Sequence, residues 1–323
     1  MKILLVRLSS MGDLIHTLPA IEDLSQHQPE LELHWLAEAG FADIARLHPF
    51  VHTVLPMQWR RWRKTLYARD TRAQIRALYR RLRSERYDAV IDSQGLLKSA
   101  VFARFAGAPV KGLDKASARE PLAACFYRQS FQVAKGRDAI WRNRSLLAQI
   151  FAYAVPDTLR FGVRLPAGVS VEGLPPRFRV ALHATSRDSK LWPEAHWVAL
   201  LNRLHEQDGA AVWLPWGNEA ERQRSLRLAG QVPAAWVGER LDLLHTAWVM
   251  QQAAGIIGVD TGLLHLANAL DQALVGIYTD TDPAKTGVQT SGHAFNLGHI
   301  GQIPSPEAVF DAIRTAERFK NNQ

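Results

Sequence analysis

The sequence has few of the features that mark secreted or membrane-spanning proteins. Cys125 is the one cysteine in 323 residues, so no intramolecular disulfide can form. No apolar run approaches the roughly 20 residues that a membrane-spanning helix needs. The apolar run at the start is interrupted at Arg7, too early for a secretory signal. We therefore expect a soluble, cytosolic protein.

Several chemical motifs are missing as well. Neither G-x-G-x-x-G nor G-x-x-x-x-G-K-[ST] follows the first predicted strand, which excludes a dinucleotide fingerprint and a P-loop there. The twelve histidines include no H-E-x-x-H motif, so we expect no zinc site. Residues 280–282 (DTD) resemble a D-x-D metal-diphosphate motif, but no cluster of further ligands accompanies them. We expect no metal ion at this position.

The composition that remains is that of a globular protein with an uneven charge distribution. Hydrophobic residues make up 47% and charged residues 22% of the chain, which excludes wholesale disorder. Residues 57–87, the cationic segment, contain eleven Lys or Arg against two acidic residues, so the net charge of +8 is concentrated there. This segment is either a docking surface for an anionic substrate, lipid or nucleic acid, or a solvated helix face. Trp59 and Trp62 within it suit a membrane–water boundary.

Short β-branched runs alternate with helical patterns, which predicts two doubly wound α/β halves with parallel sheets. The predicted strands are 3–8, 31–36, 51–55, 88–92, 110–113, 180–183, 211–215, 235–237, 255–259 and 273–278. The predicted helices are 18–26, 71–83, 96–105, 139–152, 193–206, 219–228, 243–252, 263–270 and 306–319. The Pro- and Gly-rich residues 156–177 are the predicted linker. Ligands of such sheets bind beyond the carboxyl ends of the strands, so the strand-to-helix turns are the candidate sites.

The first such turn is Ser9–Asp13 (SSMGD), directly after the first predicted strand. Gly12 permits a close backbone approach. Asp13 is a candidate general base because its carboxylate follows a strand end. Asp is also a common N-cap residue, so helix capping is the alternative interpretation.

Two turns in the second half have the composition of anion sites. In residues 183–193 (HATSRDSKLWP), Thr185, Ser186 and Lys190 provide hydroxyl donors and a cation suited to phosphate oxygens. The alternative is a polar loop that precedes a helix starting at Pro193. In residues 258–267 (GVDTGLLHLA), a strand runs directly into a helix whose first amide groups form an anion site.

Side chains around this second turn can contribute to the same site. Gly262 keeps the approach to the helix end open, and Thr261 adds a hydroxyl. His265 lies close enough to reach the same ligand, although a structural role for this histidine is equally compatible with the sequence.

A carboxylate after another strand is a candidate for sugar hydroxyls. In residues 216–222 (WGNEAER), Glu219 or Glu221 could accept hydrogen bonds from a ribose. Both residues also favour a helix N-terminus, which leaves that interpretation open.

Taken together, the turns at 9–13, 183–190 and 260–265 resemble glycosyltransferase family 9, the bacterial lipopolysaccharide heptosyltransferases. The resemblance extends over essentially the whole chain and includes residues 59–64 (WRRWRK), 92–98 (DSQGLLK) and 118–121 (AREP). It implies an α/β fold of the GT-B type, with two Rossmann-like domains facing each other across a cleft. The implied division is an acceptor domain at 1–160, a nucleotide-sugar domain at 161–305, and a C-terminal helix at 306–323 that packs back on the first domain.

The resemblance also implies roles for individual residues. Asp13 would be the catalytic base, and Leu241 would pack on the adenine. Glu221 would hold the ribose, with Glu219 as its rival. Residues Thr185, Ser186, Lys190, Asp260, Thr261, Gly262 and His265 would hold the nucleotide-sugar. Residues Arg60, Arg61, Arg63, Lys64 and Arg119 would contact the acceptor. The sequence departs from the family pattern at Ser186, where a second threonine is usual, and at Leu241, where a methionine is known.

The implied reaction is an inverting, metal-independent transfer of heptose from ADP-heptose to the Kdo of Kdo2-lipid A, without a cofactor. It would take place at the anionic cytoplasmic face of the inner membrane, and no nucleic acid is expected as a partner. Transfer to an already heptosylated core is an alternative. A nucleotide-sugar epimerase or hydrolase, and an anionic-lipid or nucleic-acid binding protein, are alternatives from other classes.

Overall fold

The computed structural model describes residues 1–322 and separates into two compact units, divided between Pro166 and Ala167. Residues 152–177, all of them described, contain no helix or strand. The division therefore falls inside the Pro- and Gly-rich stretch.

The first unit alternates strands and helices. Its strands are β1 (Lys2–Val6), β2 (Glu32–Glu38), β3 (Val51–Met57), β4 (Ala89–Asp92), β5 (Val110–Leu113) and β6 (Gln129–Phe131). Its helices are α1 (Met11–Ile15), α2 (Leu18–His27), α3 (Ala42–Arg46), α4 (Trp59–Trp62), α5 (Arg69–Ser84), α6 (Leu97–Phe105) and α7 (Ala139–Phe151).

The six strands of this unit form one parallel sheet in the order β3-β2-β1-β4-β5-β6. β1 and β4 are buried almost throughout because helices cover both faces of the sheet, which explains their continuous apolar character. The chain reverses its direction of winding between β1 and β4. The turns after these two strands therefore enclose the crevice in which such sheets bind ligands.

The second unit repeats this plan. Its strands are β7 (Phe178–Leu182), β8 (Ala211–Trp213), β9 (Ala235–Trp236), β10 (Gly255–Val259), β11 (Leu274–Ile277) and β12 (Ala294–Leu297). Its helices are α8 (Glu194–Asp208), α9 (Glu219–Ala229), α10 (Leu243–Gln252), α11 (Gly262–Ala269), α12 (Pro283–Thr286) and α13 (Pro306–Asn321). The parallel sheet has the order β12-β11-β10-β7-β8-β9, so its winding reverses between β7 and β10.

The C-terminal helix α13 packs on the second unit. It contacts α8, β10, β11 and β12. Val309, Ile313 and Ala316 are fully buried in the apolar core of that unit. The return of this helix to the first domain, which the resemblance implies, stays a prediction.

The α/β fold class with two doubly wound parallel sheets is confirmed, and each predicted strand and helix overlaps an observed one. The edge strands β6 and β12 were not predicted, because three or four residues leave too little alternation to recognise. Within residues 1–322, no helix is both long enough and apolar enough to cross a membrane.

Candidate active site

A cavity of about 150 Å³ opens in the first unit at the carboxyl ends of β1 and β4. Its lining residues are Arg7, Ser9, Asp13, Ser93, Gln94, Leu96, Leu113, Arg119, Ala139, Arg142, Asn143 and Leu146. It therefore combines a single carboxylate with three arginines. The arginines can bind an anionic ligand, and the carboxylate can accept a proton from it.

Asp13 lies at the edge of this cavity and also caps the helix that contains it. Ser10 is the N-cap of α1, and its backbone N–H and hydroxyl donate to Asp13 Oδ2 at 2.7 and 2.9 Å. Asp13 is therefore the third helical residue of a capping box rather than the N-cap itself. Its second oxygen, Oδ1, accepts a hydrogen bond from Arg7 Nη2 at 3.2 Å. Capping and a role in the site are thus compatible.

The protonation state of Asp13 results from opposing effects. Burial raises the pKa of this carboxyl, but the charge of Arg7 and the two hydrogen bonds from Ser10 outweigh burial and hold the pKa below its usual value. Asp13 is therefore a carboxylate at neutral pH, as a proton acceptor must be.

A buried polar network holds the turn that carries Asp13. Gln94 accepts a hydrogen bond from Leu8 N–H at 2.8 Å and donates to the Ser9 carbonyl at 3.1 Å. Asp92, fully buried, accepts hydrogen bonds from the hydroxyls of Ser99 and Tyr127, both at 2.8 Å. These contacts fix the β1 and β4 turns against each other.

The structure separates the predicted acceptor cations into two groups. Arg119 lines the cavity. The remaining four, all within the described chain, lie outside its lining and are exposed on or just after α4: Arg60, Arg61, Arg63 and Lys64.

Lys98 is a further cation beside the cavity. Its ammonium donates to Ser9 Oγ at 3.1 Å, at the cavity edge. Burial and the positive charges of Arg60 and Arg63 lower the pKa of Lys98, while Glu38 opposes them. Arg60 and Arg63 therefore act on Lys98 electrostatically.

In the second unit, the turns after β7, β10 and β11 meet at Asp260. Its carboxylate accepts hydrogen bonds from Lys190 Nζ at 2.6 Å and Thr281 Oγ1 at 2.7 Å. Its carbonyl accepts one from Thr185 Oγ1 at 2.9 Å. The sequence patterns at 183–193 and 258–267, which lie about 70 residues apart, therefore belong to one site.

The helix that starts beside this cluster presents its first amide groups at the same place. Thr261 is the N-cap of α11, and Gly262 is the first helical residue. His265 is largely buried one turn into the helix. Ser186 is exposed in the turn after β7. Hydroxyls, an ammonium group and a helix N-terminus together suit a diphosphate.

The turns after β8 and β9 form the neighbouring part of this edge. The Trp216 indole donates to the Gly238 carbonyl at 2.9 Å and joins the two turns. The Glu221 carboxylate lies in the β8 turn, where Gly217 N–H and the Asn218 amide donate to it. Glu219 instead points along α9 to Gln223. Leu241 is half-buried directly before the N-cap of α10.

Residues 280–282 (DTD) contact the same group of turns around Asp260. Thr281 donates to Asp260, Asp280 accepts from Ser189 Oγ at 2.6 Å, and Asp282 caps α12. Throughout residues 1–322, no three His, Cys, Asp or Glu side chains come together in a group that could hold a metal ion.

The site residues to which sequence reasoning assigns no role include Arg7, Lys98, Arg142 and Thr281. Arg7 could have been found, since it is a charge at the end of an otherwise apolar strand. Lys98 and Thr281 lie within the motifs at 92–98 and 280–282, where nothing in the pattern distinguishes them as site residues. Nothing in the sequence around Arg142, on α7, indicates a functional role.

Comparison with known proteins identifies the family. Residues 75–308 match the model of glycosyltransferase family 9 (heptosyltransferase). Lipopolysaccharide heptosyltransferase 1 of Pseudomonas aeruginosa is 44% identical over 290 residues, covering 89% of this chain and 81% of the relative. The Escherichia coli K12 protein of the same name is 40% identical over 295 residues, covering 89% and 90%.

A solved structure is similar over the full length. E. coli heptosyltransferase WaaC with ADP-2-deoxy-2-fluoro heptose has a TM-score of 0.84 at 35% identity and covers 100% of both chains. The fold is therefore of the GT-B type, and the protein is a glycosyltransferase. It belongs to glycosyltransferase family 9, the heptosyltransferase family.

Proposed function

We propose that this heptosyltransferase of lipopolysaccharide synthesis transfers L-glycero-D-manno-heptose from ADP-heptose to the Kdo of Kdo2-lipid A. The observation that carries the proposal is the position of Asp13, whose pKa is held below its usual value, in a cavity that also contains Arg7, Arg119 and Arg142. Relatives of 40–44% identity are named lipopolysaccharide heptosyltransferase 1, and the similar WaaC structure contains an ADP-heptose analogue.

Asp13 acts as the general base. Both Ser10 hydrogen bonds go to Oδ2, so Oδ1, which has the longer contact to Arg7, receives the proton of the acceptor hydroxyl. The hydroxyl oxygen attacks the anomeric carbon as the bond from that carbon to the diphosphate oxygen breaks. ADP leaves with the electron pair of that bond. A single displacement of this kind inverts the anomeric configuration.

The second unit binds the donor and stabilises the leaving diphosphate. Lys190 and the first amide groups of α11 face the developing negative charge, and Ser186 and Thr261 add hydroxyl donors. Thr185 holds the donor turn in place, because its hydroxyl donates to the Asp260 carbonyl. Asp260 holds Lys190 in place through the 2.6 Å ion pair, and His265 lies in the same turn of α11. These groups supply the charge stabilisation that a metal ion provides in other transferases, so the reaction needs neither metal nor cofactor.

The nucleoside lies along the turns after β8 and β9. Glu221 accepts the ribose hydroxyls, since its carboxylate lies in the β8 turn, whereas Glu219 points away along α9. Leu241 packs on the adenine. Gly262 leaves room for the diphosphate at the helix end.

The acceptor binds through its anionic groups. The three arginines of the cavity meet a Kdo carboxylate, and Arg60, Arg61, Arg63 and Lys64 meet the lipid A phosphates. The enzyme works as a peripheral protein on the cytoplasmic face of the inner membrane. The exposed cations of α4 support this placement.

The test is incubation with ADP-heptose and Kdo2-lipid A in the presence of a chelator, followed by mass spectrometry of the lipid. We expect one added heptose with the unaltered chain. Asp13→Asn should lower kcat by about 10²- to 10⁴-fold while ADP binds with unchanged affinity.

Asp43→Asn is the matched control, because Asp43 is also an acidic residue in the first turn of a first-unit helix and pairs with an arginine, Arg46. It should retain full turnover. Near-full turnover of Asp13→Asn would refute the role of this carboxylate. Loss of activity in chelator that is restored by a divalent cation would refute the metal-independent reaction.

A further inference from the structure

An apolar groove of about 250 Å³ runs along α6 in the first unit, outside the cavity that contains Asp13. Its lining residues are Trp59, Ile75, Leu97, Lys98, Val101, Phe102 and Phe105. All of them except Lys98 are apolar. Leu97 and Val101 are 37% and 41% exposed, so the groove is open to solvent.

The groove follows from the spacing of apolar residues on α6. Residues 97, 101 and 105 recur every four positions and share one helix face. Phe102 fixes the floor, because its ring contacts the rings of Trp59 and Phe105 edge-on at centroid distances of 5.5 and 5.1 Å. Packed aromatic rings therefore form the floor of the groove.

Positive charges surround this apolar surface. Lys98 lines the groove itself, and Arg60 and Arg63 are its electrostatic neighbours. On α5, Arg72 and Arg76 flank Ile75 and are exposed. An apolar channel bordered by cations complements a molecule that has a hydrocarbon chain and an anionic headgroup.

The groove lies next to the proposed acceptor cavity. Leu96 lines the cavity, and the next two residues, Leu97 and Lys98, line the groove. The Lys98 ammonium also donates to Ser9 Oγ, and Ser9 lines the cavity. A lipid whose sugar carboxylate occupies the cavity therefore has its phosphates near Lys98 and a hydrocarbon chain within reach of the groove.

We propose that this groove binds an acyl chain of the lipid acceptor, so that the enzyme recognises the acceptor's hydrocarbon as well as its anionic sugars. The inference rests on the proposed function, because it takes the acceptor to be an acylated anionic lipid. On this proposal, Val101 and Leu97 contribute to the affinity for the acceptor and take no part in the chemical step.

The test compares Kdo2-lipid A with the same phosphorylated glycan after complete deacylation, both with ADP-heptose and in the same non-ionic detergent. Val101→Asn removes apolar contact without changing charge. We expect it to raise KM for the acylated acceptor about three- to tenfold. Its kcat, and its KM for the deacylated acceptor, should stay unchanged.

Leu226→Asn is the matched control, since Leu226 is also a 41% exposed aliphatic residue on a helix, but in the second unit. It should change neither KM. Equal effects of Val101→Asn on both acceptors, or no effect on either, would overturn the acyl-chain site while leaving the transferase activity in place. Transfer to neither acceptor by the unaltered chain would overturn the proposed acceptor and this inference with it.

A second measurement separates the acceptor's own chain from the membrane surface. Binding to phosphatidylglycerol vesicles without acceptor should be the same for Val101→Asn and the unaltered chain. A loss of vesicle binding as large as the rise in KM would instead identify the membrane as the occupant of the groove, and would contradict the proposal.

Discussion

Arg7 and Asp13 illustrate how a few contacts set the chemistry of a single residue. Asp13 is partly buried, and burial alone would raise its pKa. Arg7 is itself buried at the end of β1, where Nη1 donates to the Ser93 carbonyl and Nη2 to Asp13. The guanidinium is thus held in position to keep the carboxyl deprotonated.

Replacement of Arg7 should therefore change the pH dependence of the reaction. In Arg7→Met, burial is opposed mainly by the Ser10 hydrogen bonds, so the pKa of Asp13 should rise. The acid limb of kcat/KM, which reports ionisation in the free enzyme, should move to higher pH. The measurement is kcat/KM between pH 4 and 9.

Arg46→Met provides the comparison, because Arg46 is an exposed arginine that also pairs with an aspartate in the first unit. Its profile should coincide with that of the unaltered chain. An acid limb that stays in place in Arg7→Met would show that Arg7 does not control the Asp13 proton.

At the scale of elements, helix α13 is joined to the second unit by charges as well as by its apolar face. Arg179 of β7 is fully buried and donates to both carboxylate oxygens of Asp208 and of Glu317. Arg314 donates to the same two carboxylates. Hydrogen bonds from Arg179 lower the pKa of Asp208 to about 2, although burial opposes them.

Removal of one member of this network should be costly because a buried charge loses its partner. Glu317→Ala should lower the free energy of unfolding by about 3–5 kcal/mol. Urea denaturation followed by circular dichroism measures this change. Asp311→Asn, on the exposed side of the same helix, should change stability by about 0.5 kcal/mol or less. Similar values for the two variants would mean that the network contributes little.

At the scale of the whole molecule, each unit contains a buried histidine whose pKa is lowered to about 4. For His48 in the first unit, burial lowers the pKa against the opposing charge of Glu22. For His183 in the second unit, burial and the charge of Arg224 both lower it. Neither histidine is protonated in the folded chain at neutral pH.

Acid should therefore destabilise both units over the same range. An unfolded histidine binds a proton near pH 6.5, whereas the folded ones do so near pH 4. Stability is thus complete above about pH 6.5 and is lost as the pH falls towards 4, by about 1–3 kcal/mol per histidine. Urea midpoints at a series of pH values measure the decline.

His183→Gln should remove part of this decline, because glutamine can keep the hydrogen bond that His183 Nε2 makes with Ser225 Oγ. His299→Gln, at an exposed position, should leave the decline intact. A midpoint that stays constant between pH 7 and 5 would contradict the prediction.

The sequence predicted the α/β class, the order of most elements and the turns that carry the second-unit cluster. These features are local: a buried strand shows as an apolar run, and Asp260, Thr261 and Gly262 follow such a run directly. The resemblance to the family, whose membership is now shown, implied roles for residues that local pattern left open, and those roles stay predictions. Asp13 could be recognised as a cap or as a base, and the structure shows the capping contacts together with the cavity.

Only the tertiary structure decided which distant residues meet. Arg7 and Arg119 lie on different segments and line one cavity because β1, β4 and β5 are neighbours in the sheet. Arg142 joins them from α7, which packs on β5 and β6. Lys98 reaches Ser9, 89 residues earlier, for the same reason. Local periodicity records which face of an element is apolar, but strand order arises from packing over the whole unit. The sequence around Arg142 therefore does not indicate that this arginine lines the same cavity as Asp13.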